Sequence, residues 1–388
     1  MNKPTGLYIH IPFCIKKCKY CDFVSFVDKA DFFDEYIDKI LKEAKEYKNF
    51  KIDTIFIGGG TPTVLSSSQL EKLIAGINNI FDISDKYEMT IEANPKTLDN
   101  EKLAVLKAYG VNRISVGVQS FCDSELQAIG RIHNAKTANN TIELIKENGF
   151  DNFNIDLMTG LPNQTKESLL HTLDCAISLN PAHISCYSLI LEEGTPLYDE
   201  YEKGVYSLVY DEYDRELYSF VCDYLMKNGY IQYEISNFSK KGFESKHNLK
   251  YWNCDEYIGL GVSAHSYLDG IRFYNTHNLC EYLNENFHSD EKTILSENDK
   301  ISEYIIMRLR LYDGINEEEF YKRFKKDFYP IYKEIIDKFI ENDLMIYENN
   351  SYKLSKKGMD VSNSIMCEFV WFLLNKNINM IFYEQFVK

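Results

Sequence analysis

A single recurrence constrains this chain more than any other feature. Apolar, β-branched runs occupy residues 7–13, 54–57, 88–92, 113–118, 153–158 and 183–190, and a longer amphipathic stretch follows each. Starts spaced by about 35 residues suit strand–helix–strand units, whose crossover helix returns the chain to the same end and so builds a parallel sheet. Helices are expected over 33–47, 68–80 with a cap among Ser66–Ser68, 102–109, 136–148 and 166–179, with a further long one over 210–228. A (β/α) barrel and a doubly wound sheet both satisfy this pattern, and only the closure of the sheet separates them.

The segments that follow the strands carry chemistry. They are a loop with three cysteines, then Gly58-Gly59-Gly60-Thr61-Pro62, Glu92-Ala93-Asn94-Pro95, Gln119-Ser120-Phe121, Asp156 with Gly160-Leu161-Pro162, and Glu193-Gly194-Thr195-Pro196. Active sites of parallel α/β folds lie at the C-terminal strand ends, so these segments are expected at one mouth. Cys14, Cys18 and Cys21 put three soft ligands in one loop. A [4Fe–4S] cluster held by three thiolates keeps one iron open for an outside ligand. Zinc is the rival, with His10 as a fourth ligand. Taken singly, Glu92, Gln119, Arg131 and Asp156 read as ion pairs or helix caps; together they resemble a site for a nucleotide bearing an amino acid moiety.

Charge and composition narrow the classes. A net charge of −16 repels polyphosphate backbones and argues against a nucleic-acid partner. The imbalance belongs to residues 1–299, because residues 300–388 carry 14 basic and 14 acidic side chains. Two domains are expected: 1–235 as the α/β domain with an irregular extension over 236–285, a linker over 286–299, and a small domain over 300–388. The small domain reads as mostly helical with a hairpin near 344–354, in the manner of a winged helix. No apolar run approaches the roughly 18 residues of a membrane span, and no cleavable leader is evident. A cytoplasmic protein with free thiols is expected.

The Cys-x3-Cys-x2-Cys loop, with Tyr8-Ile-His10-Ile-Pro12-Phe13 before it and Gly-Gly-Gly-Thr-Pro after it, resembles the radical S-adenosylmethionine superfamily. Within it, the chain is most similar to the oxygen-independent coproporphyrinogen III oxidase family, in the branch of HemW-type haem chaperones. The resemblance implies a partial (β/α)6 barrel, a [4Fe–4S] cluster on Cys14, Cys18 and Cys21, and S-adenosylmethionine at the open iron. A reduced cluster in such proteins can cleave that sulfonium to a 5′-deoxyadenosyl radical. Tyr8, Gly59 and Glu92 match the contacts to S-adenosylmethionine at the cluster. Tyr20, Gly60, Thr61, Gln119, Arg131 and Asp156 match a second set of nucleotide contacts. His247-Asn248-Leu-Lys-Tyr251-Trp252 matches a segment linked with haem, which makes His247 the candidate iron ligand and Cys254 its neighbouring rival. The plain reading of that segment is a loop histidine whose neighbour Asn248 bonds nearby backbone.

Two departures separate the chain from the oxidases. They carry a fourth cysteine two positions after the third, where this sequence has Phe23, and a long N-terminal extension, where only five residues precede Gly6. Haem binding and delivery to an acceptor protein, with an electron donor for the cluster, is therefore the leading expectation. Porphyrinogen oxidation remains the alternative, and a zinc-stabilised interaction module is a third.

Overall fold

The computed structural model describes residues 3–207 and 211–374. The described residues fall into two units, the first comprising 3–207, 211–231, 236–247 and 256–293, the second 232–235, 248–255 and 294–374.

In the first unit, parallel strands β1 (Thr5–Ile11), β2 (Lys51–Gly59), β3 (Asp82–Ala93), β4 (Arg113–Gln119), β5 (Phe153–Thr159) and β6 (His183–Ser188) lie side by side in chain order. Strand order without a reversal excludes the doubly wound alternative, which requires a switch point. The sheet does not close. After β7 (Ile231–Glu234), the edge of β6 is taken by antiparallel β8 (Asn237–Ser239), and the edge of β1 by β9 (Tyr257–Leu260), with β10 (His265–Leu268), β11 (Ile271–Asn275) and β12 (His288–Ile294) beyond it. The arrangement is the expected open, partial form of the α/β fold.

The crossover helices are α1 (Phe33–Ala44), α2 (Ser67–Ile80), α3 (Asn100–Ala108), α4 (Asp123–Ala128), α5 (Ala135–Glu147) and α6 (Lys166–Ser178). Side chains alternate across a strand, and here the alternation separates packing from chemistry. Leu7, Ile9, Ile55, Ile57, Met89, Ile91, Ile114, Val116, Ile155 and Ile184 share one buried cluster with Ile37, Leu70, Leu103, Ile142 and Leu169 of the helices. The intervening positions, Tyr8, His10, Phe56, Gly58, Glu88, Glu92, Arg113, Asp156 and Tyr187, face the other way. At about 25 cal/mol per Å² of buried apolar area, the helix face stabilises the sheet, which leaves the polar face free for function. Ser66, within the expected Ser66–Ser68, caps α2: its Oγ accepts from Gln69 N–H and its own N–H donates to Gln69 Oε1. The helix expected over 210–228 is α8 (Asp211–Lys227), after α7 (Pro196–Glu202); Tyr210 lies outside the described residues.

Three expectations change. The stretch 236–285 is not irregular: it holds β8 to β11, α9 (Lys246–Trp252) and α10 (Leu279–Leu283). Strands of three to five residues are too short to show a period, and their pairing is long-range. Residues 286–299 form β12 and the start of α11 (Glu297–Leu309) rather than a free linker. The haem-linked segment is helix α9, not a loop.

The second unit buries Ile301, Tyr304, Ile305, Phe320, Phe328, Tyr332, Ile336 and Phe369 in its own core. Its helices are α11, α12 (Glu317–Phe324), α13 (Phe328–Glu341), α14 (Lys356–Met359) and α15 (Ser362–Leu374), beside a small sheet of β13 (Ile315–Asn316), β15 (Ser351–Leu354) and β14 (Met345–Glu348). Asn349 and Asn350, both at positive φ, turn the hairpin between β14 and β15. The expected helical domain with a wing is this unit; residues 375–388 of the expected small domain lie outside the described ones.

Candidate cofactor site

The cysteine loop leaves β1 and is fastened at its two ends and its middle. Cys14 N–H donates to Phe26 O at 3.0 Å and Phe26 N–H to Pro12 O at 2.6 Å, while Lys19 N–H donates to Ile129 O at 3.0 Å. All three thiols are half-buried. Burial raises Cys14, and the charge of Cys18 adds to it. Burial likewise pushes Cys21 up to about 11, with Cys18 and Cys14 contributing. The three sulfurs are thus near enough to repel one another as thiolates, and a bound cation is what would offset that repulsion.

His10 is not a fourth ligand. Its Nε2 lies 3.0 Å from Val24 O, which only accepts, so Nε2 carries the proton and Nδ1 accepts from Tyr8 Oη at 2.8 Å. Both nitrogens are committed, the ring is buried, and burial lowers its pKa. Three thiols without a histidine suit a cluster with an open iron better than a four-coordinate zinc. Among the described residues, no three His, Cys, Asp or Glu side chains stand in a finished metal-binding cage.

The glycine turn after β2 wraps this loop. Gly60 N–H donates to Ile11 O at 2.9 Å and Thr61 N–H to Phe13 O at 2.8 Å. A Cβ on Gly60 would stand 2.7 Å from Phe13 O and 3.1 Å from Cys14 Sγ. Gly59 has φ +109°, and its N–H donates to Glu92 Oε2 at 3.0 Å. Burial, helped by the charge of Asp156, raises Glu92 to about 8. A half-buried carboxyl held neutral beside a glycine-lined turn is poised to ionise against a cationic ligand.

Around it runs a continuous polar network. Thr61 Oγ1 lies 3.5 Å from Cys14 Sγ and accepts from Asn94 Nδ2 at 2.7 Å. Arg131 donates from Nη2 to Asn94 Oδ1 at 2.5 Å and to Gly117 O, and from Nη1 to Cys18 Sγ at 3.4 Å. The guanidinium therefore bonds Cys18 directly and reaches Cys14 through Asn94 and Thr61. Asp156 accepts from Asn154 at 2.6 Å and Ser115 at 3.3 Å, and burial raises its pKa. Gln119, at φ +71°, accepts from Tyr187 Oη at 3.2 Å. Tyr20 packs with Tyr187 against Ile129 and Met158. Asn94 and Tyr187 complete the site and were not singled out from sequence. Asn94 stands two residues after Glu92 and so on the same side of the chain, the signal that could have found it.

His247 lies elsewhere. It sits in the first turn of α9 and is 1% exposed, with Nδ1 2.9 Å from Thr54 Oγ1 and its ring 5.4 Å from that of Phe56. Glu88 accepts from the N–H groups of Lys246 and His247, each at 3.2 Å. Thr54, Phe56 and Glu88 belong to the polar face, at the end of the strands remote from the cysteines. Phe56 in turn stacks on Tyr8 at 6.3 Å. Cys254, the rival ligand, is buried in the core of the second unit.

An open parallel sheet with three loop cysteines and a glycine turn at its C-terminal edge defines the radical SAM class, and residues 8–176 match the Radical SAM superfamily. Residues 295–361 match the HemN C-terminal domain. The chain is 37% identical to the heme chaperone HemW of Lactococcus lactis subsp. lactis, covering 95% of this chain and 98% of that one. It is 38% identical to heme chaperone HemW of Bacillus subtilis, over 94% and 98% respectively. The chain belongs to the HemW family of radical SAM proteins. Its fold is shared with coproporphyrinogen III oxidase (HemN) of Escherichia coli, a radical SAM enzyme, at a TM-score of 0.83, 23% identity, and coverage of 95% and 90%.

Proposed function

We propose that this protein binds haem and passes it to an acceptor protein, and that it carries a [4Fe–4S] cluster on Cys14, Cys18 and Cys21 with S-adenosylmethionine beside it. The observation that carries this reading is likeness to heme chaperones along nearly the whole chain. Position 23 supports it: Phe23 is 67% exposed and supplies no thiol where the oxidases have one. A reduced cluster held by Cys14, Cys18 and Cys21 would supply the electron for chemistry at the sulfonium, with an electron donor to replenish it. The chain's own residues do the positioning. Gly59 and Gly60 let the backbone approach the ligand, Glu92 supplies a carboxylate to its cationic part, and Arg131 holds Cys18 and Asn94 in place. Tyr8, Tyr20, Thr61, Gln119 and Asp156 form the walls. Haem ligation by His247 requires the first turn of α9 to leave Thr54 and Glu88, because the imidazole is enclosed in the state described.

The test is a side-by-side assay on anaerobically reconstituted protein. Haem retention and transfer to an apo-haemoprotein are expected, without turnover of coproporphyrinogen III. Replacing Cys14, Cys18 and Cys21 with alanine should remove the iron absorbance while haem binding persists. Efficient coproporphyrinogen III conversion, or one tightly bound zinc and no iron, would overturn the reading.

A further inference from the structure

Three arginines of the second unit approach the turn at residues 252–254, and they are not equivalent. Arg308 donates from Nη1 to Asn253 Oδ1 at 2.5 Å and from Nε to Gly314 O at 2.9 Å, and stands 3.9 Å from Glu319. Arg323 donates to Asn253 O at 2.7 Å and to Cys254 O. Both are satisfied by groups of the unit itself. Arg310, just past the end of α11, is different: its guanidinium lies over the indole of Trp252, 4.6 Å from the ring centre, and among the described residues its buried Nε–H has no acceptor. The indole Nε1–H of Trp252 is also buried, again with no acceptor among the described residues. Among the described residues, Arg310 forms no ion pair with a carboxylate.

Two enclosed N–H donors without acceptors, on side chains stacked against each other, are costly, since each buried unsatisfied group forfeits about 1–3 kcal/mol, and a ligand reaches them only by parting that stack. A native fold keeps such a pair where a ligand or ordered water completes it. The donor set selects the ligand. A guanidinium and an indole N–H offer only donors and one positive charge, so they match a carboxylate, whose oxygens only accept.

We propose that Arg310 and Trp252 form a carboxylate site that holds a propionate of the haem cargo. The assignment rests on the haem reading above. It places the anionic rim of the macrocycle, not its iron, at the C-terminal end of α9, and is independent of which side chain ligates the metal.

The test uses full-length protein and two probes, ferric haem and its dimethyl ester, which keeps the iron and the macrocycle but has no carboxylate. Wild type should retain haem about tenfold more tightly than the ester, the effect of one charge-assisted hydrogen bond. Arg310→Gln should lose that preference, weakening haem about tenfold and leaving the ester unchanged. Trp252→Phe keeps the ring without the N–H and should lose part of the preference. Thermal unfolding of both variants checks that the second unit stays folded. Equal retention of haem and ester by wild type, or an unchanged preference in Arg310→Gln, overturns the site. Failure of wild type to hold either probe overturns the haem reading itself.

Discussion

Replacing Gly59 by alanine should damage the S-adenosylmethionine site through His10, not by filling the ligand's own space. At φ +109° an L-residue is strained, which costs about 1–3 kcal/mol. The new Cβ would also stand 2.5 Å from Cε1 and Nδ1 of His10. That ring has nowhere to yield without breaking its bonds to Tyr8 and Val24, each worth about 1 kcal/mol net. Adding the about 1–3 kcal/mol typical of overpacking, the substitution should cost roughly 4–8 kcal/mol, a large share of a domain's stability. Urea unfolding of Gly59→Ala and of Gly59→Ala in a His10→Ala background separates the parts. Removing the ring should recover the steric share and leave the backbone share. Calorimetry on anaerobic protein should show S-adenosylmethionine affinity reduced in Gly59→Ala, with iron content retained because the cysteines are untouched; Gly59→Val should abolish binding. Equal costs in the two backgrounds would show that His10 is not what the turn packs against.

Two further outcomes follow from the polar face. Glu92, raised to about 8, adds stability fully present below the ordinary carboxyl range near 4.5 and lost as pH rises through 8. A cationic ligand reverses the preference, so S-adenosylmethionine affinity should rise about tenfold between pH 7 and 9 beyond any change seen in Glu92→Gln; identical pH profiles for wild type and Glu92→Gln would refute this. His247→Ala should shift the Soret band and weaken haem retention if α9 opens to give up its imidazole, whereas Thr54→Val, which frees that imidazole, should strengthen retention and His277→Ala should do neither. Thr54→Val and His247→Ala both indifferent to haem would leave His247 a packing residue of the sheet.

The sequence carried the architecture because one signal was repeated. Apolar strands followed by amphipathic helices, evenly spaced, told of parallel pairing before any contact was known, and the strand-end motifs told of a shared mouth. Strand order was not written locally: nothing in residues 7–190 distinguishes a singly wound sheet from one with a reversal. The short strands from Asn237 to Asn275 hid for a related reason, since each has too few residues for a period and is stabilised by partners far along the chain. The zinc alternative loses its fourth ligand to something sequence cannot show. His10 is close to the cysteines in the chain, yet its two ring nitrogens are taken by Tyr8 and Val24.

The same limit explains His247 and sharpens what the haem-linked segment does. Read as a string, His-Asn-x-x-Tyr-Trp looks like a ligand followed by ring-stacking side chains. Folded as α9, it separates those roles along one helix: His247 is enclosed at the first turn by Thr54 and Phe56, while Trp252 at the last residue keeps an unsatisfied donor beside Arg310. Phe56 touches both the His247 ring and that of Tyr8, whose hydroxyl orients His10 under Gly59. Any movement that frees His247 must therefore unpack Phe56 from below the glycine turn at Gly58–Gly60. Exposing the imidazole and keeping the turn rigid are competing demands on one phenyl ring, and a protein that ligates haem through His247 would bind S-adenosylmethionine more weakly while it does so.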